Sequence, residues 1–296
     1  MKNLSFRIVD PKTRAFAVMS SKTGVRKRSL AAIKTLVTDR FDEFQLFRGR
    51  LNEVEAISLT EDSKKALEHC YSSPTEALKA IKEEMKRSLK EQYGQIALRC
   101  SYCQVRDPSC WDHYLPLSRF PEFSVFPPNL LYVCSVCNTK KGDLVQEDKK
   151  RFLHAYFDNL GDSSLVIAVI SFHSNVVEIS FDTHPDIQGL SPLHAAVCEH
   201  FEFFDLKNLY LRKAKEYLSS ILQPMQKYKS GNLSYREYLR IIEVEKSRIP
   251  VNSGKNDWKL ITIDAMETHA SEVIRFVNSC PMAPAPSLAP IDGWEY

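Results

Sequence analysis

The clearest periodicity in the chain is an apolar stripe at Leu78, Ile81, Met85 and Leu89. Its spacings of three and four residues turn one helical face to a core, with Lys79, Lys82, Glu83, Lys86 and Lys90 around the rest. A start signal precedes it: Ser73 as N-cap, Pro74 in the first helical position and Glu76 three residues after the cap. Upstream, a short extended start is followed by a basic segment from Lys22 through Arg26, Lys27 and Arg28, then by a mixed charged and apolar stretch, Leu30 to Val54, that reads as helical. A second helix is expected over Glu61 to Cys70.

From Ile96 to about Leu144 the periodicity stops, and cysteines, prolines and aromatics replace it. That composition suits a small module held by metal rather than by a large core. Beyond it, Arg151 to Leu160 reads as a helix. Leu165 to Phe172 and Val176 to Phe181 read as strands of a hairpin turning around His173, Ser174 and Asn175. Long helical patterns fill Pro192 to Cys280, through Leu206, Leu209, Tyr210, Lys213, Tyr217 and Leu218, and later through Ile263, Met266, Val273 and Phe276. Pro281 to Tyr296 holds four prolines and little periodicity, as expected of a flexible tail. The expected fold class is α+β: a mainly helical N-terminal region (1–95), an inserted finger (96–146), a hairpin with a helical domain (147–280) and the tail (281–296).

Composition narrows the class without naming a partner. The 296 residues are 44% hydrophobic and 26% charged, enough to bury a sizeable core. The 40 basic and 37 acidic residues leave a net charge of +3, so any polyanion-binding surface must be local. Neither a signal-peptide core nor a membrane-span length of apolar residues is found, and a reducing cytoplasm is expected.

Four of the eight cysteines form two CxxC pairs, Cys100 with Cys103 and Cys134 with Cys137. Each such turn aims two sulfurs at one point, and four thiolates complete the closed tetrahedron of a structural zinc. A closed site has no open position for water, so this Zn²⁺ would stabilise the module and catalyse nothing. Cys110 has no CxxC partner and reads as a spectator. On spacing alone, these cysteines suit a noncatalytic zinc module that binds nucleic acid or protein.

The residues between and beside the pairs add a second reading: Trp111-Asp112-His113-Tyr114-Leu115-Pro116, then Asn129-Leu130-Leu131-Tyr132-Val133, then Cys137-Asn138-Thr139-Lys140-Lys141-Gly142-Asp143. Together they resemble the HNH endonuclease motif, the His-Me or ββα-metal finger, in the subgroup with four zinc-binding cysteines. The resemblance covers about Leu98 to Leu144 and implies a treble-clef-like ββα fold. It implies His113 as general base toward a water attacking phosphorus, a task that suits an imidazole with an ordinary pKa near about 6.5. Asp112 and Asn138 would be oxygen ligands of one catalytic Mg²⁺ or Mn²⁺. Asn129 would hold the loop bearing His113, and Lys140 and Lys141 would meet phosphates of DNA, or of RNA, beside the cut. The third signature position is Asn138 where histidine is commoner, as also in the HNH domain of RNA-guided CRISPR nucleases. An amide oxygen there favours Mg²⁺ or Mn²⁺ over Ni²⁺ or Zn²⁺.

Outside the finger, Lys22 to Arg28 is a candidate phosphate contact beside the plainer reading of a solvated face. His154 and Asp158, four apart, are expected to pair along a helix. No GxxxxGK or GxGxxG run is present, so energy coupling would need another subunit. The arrangement loosely resembles stand-alone HNH subunits of antiphage systems that work with an ATPase partner, such as Septu.

Overall fold

The computed structural model describes residues 4–93, 98–144, 149–160, 163–173, 176–184, 192–227, 231–250 and 253–279. The expected tail lies outside these residues, as do Ser174 and Asn175 of the expected turn. The chain forms two compact units, one of residues 1–166, 183–207 and 250–257, the other of 167–182, 208–249 and 258–296. The expected boundaries at 95 and 146 both fall inside the first unit.

That unit opens with α1 (Pro11–Ser20), which the expected extended start did not include. Its signal is local: Pro11 stands at the first helical position and the Asp10 carboxylate accepts from Thr13 N at 3.2 Å. The stretch Leu30 to Val54 is not one helix. It falls to α2 (Gly24–Ala32), α3 (Lys34–Leu46) and a single 3₁₀ turn at Leu51–Glu53. Then come α4 (Glu61–Ser72) and α5 (Glu76–Tyr93), whose Leu78, Ile81, Met85 and Leu89 are all buried, as the stripe requires. The cap of α5 is Thr75 rather than Ser73. Thr75 Oγ1 accepts from Leu78 N at 3.4 Å, while the Ser73 N–H donates to His69 O at the end of α4. Lys22 is buried, and its ammonium donates to His69 O and Ser73 O at 3.2 and 2.6 Å. It closes the C-terminus of α4 and leaves the candidate phosphate contacts, whereas Arg26, Lys27 and Arg28 stay exposed on α2.

The cysteine module follows as β1 (Cys110–His113), β2 (Leu130–Val133) and α6 (Ser135–Lys141). The strands are antiparallel, with Trp111 opposite Tyr132 and His113 opposite Leu130. The loop joining them turns twice through 3₁₀ helix, at Pro121–Phe123 and Pro127–Asn129, and is anchored on α3 by aromatic packing. Phe41 stacks on Phe126 at 4.1 Å, and Phe44 meets Phe123 edge-on at 5.1 Å. Beneath them Arg40 is buried against Glu122 at 2.9 Å and pairs also with Glu43.

Residues 151–160 do not form the expected helix; His154 heads a single turn closed by Asp158 N to His154 O at 3.1 Å. Phe152, Leu153, His154 and Ala155 are buried in succession, which leaves no polar face for a helix to show water. The helix α7 (Pro192–Phe203) completes the described elements of this unit.

The second unit contains most of the hairpin β3 (Val166–His173) and β4 (Val176–Thr183), then α8 (Leu206–Lys227), α9 (Tyr235–Ser247), α10 (Trp258–Thr268) and α11 (Ala270–Ser279). The expected hairpin and helical pattern are both present. A full capping box starts α9, with Ser234 and Glu237 exchanging side-chain and backbone bonds. The Tyr238 hydroxyl ties α9 to Met266 O at 2.7 Å. Among the described residues no helix is long and apolar enough to cross a membrane.

Candidate functional site

Cys100, Cys103, Cys134 and Cys137 are buried, and their sulfurs all lie within 4.8 Å of one another. Four thiolates on one zinc at about 2.3 Å would stand about 3.8 Å apart, so this donor set can hold a zinc ion. Local backbone builds the cluster. Cys100 N donates to Arg106 O at 2.9 Å, Gln104 turns left-handed with φ 58° just after Cys103, and Cys134 caps α6. Ser101 N and Oγ both reach Tyr132 O, at 3.1 and 2.9 Å, which fastens the first CxxC turn to β2. Arg106 is the local counter-charge, since the nearby cysteine sulfurs raise its pKa against the opposing effect of burial. Cys110 lies outside the cluster, its thiol directed to Val133 O at 3.5 Å.

His113 ends β1 and is buried. Its Nε2 lies 2.7 Å from Ser124 O, and a carbonyl only accepts, so Nε2 carries the proton and Nδ1 the lone pair. Ser124 is itself held by its hydroxyl, which donates to Leu67 O of α4 at 2.9 Å. Burial is the main cause that lowers the His113 pKa to about 4; the Ser124 bond opposes it, and the cations Lys141 and Lys82 add to it. The ring is therefore neutral at pH 7.

Asn129 is fully buried and clamps the segment just after His113. Its Oδ1 accepts from Leu115 N at 2.8 Å, and its Nδ2 donates to Leu115 O at 3.1 Å and to Phe123 O at 3.4 Å. Its carbonyl takes Tyr114 N at 2.9 Å. The turn that carries Asn129 is braced by His154, whose Nε2 donates to Pro128 O at 3.1 Å. The expected His154–Asp158 side-chain pair does not form. Asp158 Oδ2 accepts from the His154 backbone N–H at 2.7 Å, and its charge is met by Lys150.

Asp112 is 6% exposed, and its carboxylate is occupied. The Tyr102 hydroxyl donates to Oδ2 at 2.6 Å, and the Lys141 ammonium lies 3.2 Å from Oδ1 and 3.1 Å from Oδ2. Lys141 is also buried and donates to His113 O at 2.7 Å. It is thus a buried tie between α6 and β1, not the exposed phosphate contact expected of it, while Lys140 is exposed. Burial raises the Asp112 pKa and lowers that of Lys141, and their mutual attraction resists both shifts. A carboxylate and the amide oxygen of half-buried Asn138 are a chemically suitable pair for a hard cation. As arranged, the carboxylate is met by Tyr102 and Lys141, so a hydrated Mg²⁺ held here would have to displace the ammonium. Sequence reasoning missed Tyr102, Ser124, Tyr71 and Lys82 around this site, and no spacing signal marks them.

No protein-family model matches the chain, and no solved structure does. The chain is similar to Protein ea31 of Escherichia phage lambda, 27% identical over 180 residues that cover 55% of this chain and 59% of that protein.

Proposed function

We propose that this protein is an endonuclease of the HNH type that hydrolyses phosphodiester bonds of DNA, with His113 as general base. The observation that carries the proposal is the preparation of His113. Its Nε2 proton is fixed on Ser124, and the following segment is clamped by Asn129, so a neutral Nδ1 is held ready to accept a proton from water. An arriving phosphate anion would offset Lys82 and Lys141 and raise the basicity of that nitrogen. The ββα order and the four-cysteine cluster support the same reading. Mg²⁺ or Mn²⁺ at Asp112 and Asn138 belongs to the proposal; when bound, it would supply Lewis-acid stabilisation of the phosphate. Its binding requires Lys141 to withdraw from Asp112. The proposal extends to an ATPase partner in antiphage defence, to be sought by copurification from the native host.

The ion pair of Asp112 and Lys141 favours a second reading, a noncatalytic zinc module that binds nucleic acid or protein, in which that pair is purely structural. Incubating plasmid, single-stranded DNA and RNA with the wild type and with His113→Ala, with Mg²⁺, with Mn²⁺ and with neither, separates the two. Cutting that needs the cation and falls about 10²- to 10⁴-fold in the variant supports the nuclease. Binding without cutting under every condition supports the module.

A further inference from the structure

Strand alternation puts Trp111 and His113 on one face of the β1–β2 ribbon, with Tyr132 and Leu130 as their partners across it. The helices α4 and α5 bring their own side chains to this face. The Tyr71 ring lies edge-on to the His113 ring at 4.3 Å, and its hydroxyl donates to Trp111 O at 3.2 Å. The Lys82 ammonium stands 4.1 Å from the centre of the same Tyr71 ring. One turn further along α5, Lys86 lies 5.4 Å from the Tyr132 ring, which packs on Trp111 at 4.9 Å.

The two lysines differ in their partners. Lys86 has Glu83 at 2.9 Å. Lys82 is half-buried, and no carboxylate among the described residues lies within ion-pair distance of it. Burial and the charge of Lys86 both press its pKa downward. A cation partly withdrawn from water beside a second cation, resting on an aromatic face and without an ion pair among the described residues, lacks a counter-ion there. One tyrosine ring touches both Lys82 and the imidazole, and the Lys82 charge bears on His113.

We propose that Lys82 contacts a backbone phosphate of the DNA strand being cut, so that α5, outside the cysteine module, supplies part of the substrate site. This rests on the nuclease reading above, and it adds a phosphate contact that the finger's own residues do not provide. The aromatic contact orients the ammonium without neutralising it, as a phosphate-binding group requires.

The test measures binding of a fluorescein-labelled DNA duplex, and of its single strand, by the full zinc-loaded chain in Ca²⁺ buffer, by anisotropy over a salt series. Lys82→Gln should weaken binding several-fold and lower the slope of log Kobs against log salt by about 0.9 on the duplex and about 0.7 on the single strand, the contribution of one lost phosphate contact. Lys82→Arg should restore both, and Lys79→Gln, on the exposed side of the same helix and paired with Glu76, should change neither. A Lys82→Gln slope and affinity equal to wild type overturn the proposal. Plasmid cutting by wild type and His113→Ala is measured in parallel. Cutting with an unchanged Lys82→Gln slope removes the phosphate contact and leaves the nuclease. A lowered slope without cutting keeps the contact and removes the nuclease. Absence of any DNA binding by the wild type removes both.

Discussion

Lys141 shows how one residue can look exposed in a sequence and be buried in a fold. It follows Lys140 at the end of a short helix, yet its ammonium holds the Asp112 carboxylate and the His113 carbonyl. Removing one partner of a buried pair strands the other charge, so Lys141→Met should destabilise the protein by roughly 3 kcal/mol. Chemical denaturation measures this, and adding Asp112→Asn should recover part of the loss. Buried neutral histidines set a second expectation. His200 accepts from Leu153 N at 3.1 Å and donates to Tyr102 O at 3.0 Å, and burial lowers its pKa to about 4. Below pH ~6.5 the unfolded chain takes a proton that the native His200 refuses until about pH 4. Stability from this group is therefore full above pH ~6.5, declines as the pH falls through that window by on the order of 3 kcal/mol, and changes little below it. His200→Gln should reduce the slope of stability against pH there by about one proton, read from urea midpoints. The four-cysteine cluster was legible because two CxxC pairs constrain geometry through spacing alone. Asp112, Asn129 and Asn138 gain meaning only from their neighbours, and Tyr102, Ser124 and Lys82 are brought in by tertiary packing that no local pattern records.

Among the elements, α5 was legible because its stripe of four apolar residues repeats with the helical period, and all four are buried. Its cap was misplaced by two residues. The triplet Ser73-Pro74-Thr75 offers two hydroxyls, and Ser73 is drawn into the end of α4, where Lys22 also binds. Thr75→Ala should thus cost about 1 kcal/mol, with a smaller effect from Ser73→Ala, as read by thermal melting. The loop between β1 and β2 carried no periodic signal because its order comes from α3, through Phe41, Phe44 and Arg40. Residues 151–160 misled for the opposite reason: the pattern resembles a helix until Phe152, Leu153, His154 and Ala155 prove to be buried in succession. The four-cysteine cluster can hold a zinc ion, which would order the module. Metal analysis should find one zinc per chain, and Cys137→Ser should remove it together with most of the module's stability, a loss of up to about 10 kcal/mol. Retention of the full melting temperature by the variant would show that the cluster is not a structural metal site.

At the scale of the whole chain, the N-terminal helices and the cysteine module belong to one compact unit, and the site depends on both. Leu67 of α4 fixes Ser124, Ser124 fixes the His113 tautomer, and Lys82 of α5 rests on the Tyr71 ring that also touches the imidazole. The net charge of +3 gave no hint of this, because the unmatched cation is local. The central claim is that His113 is the base of a nuclease. Its most direct test is the rate of plasmid cutting by zinc-loaded wild type and His113→Ala with Mg²⁺ or Mn²⁺. The account predicts cation-dependent cutting by the wild type and a loss of about 10²- to 10⁴-fold in a variant that still binds DNA and zinc. Equal cutting by the two proteins would contradict it.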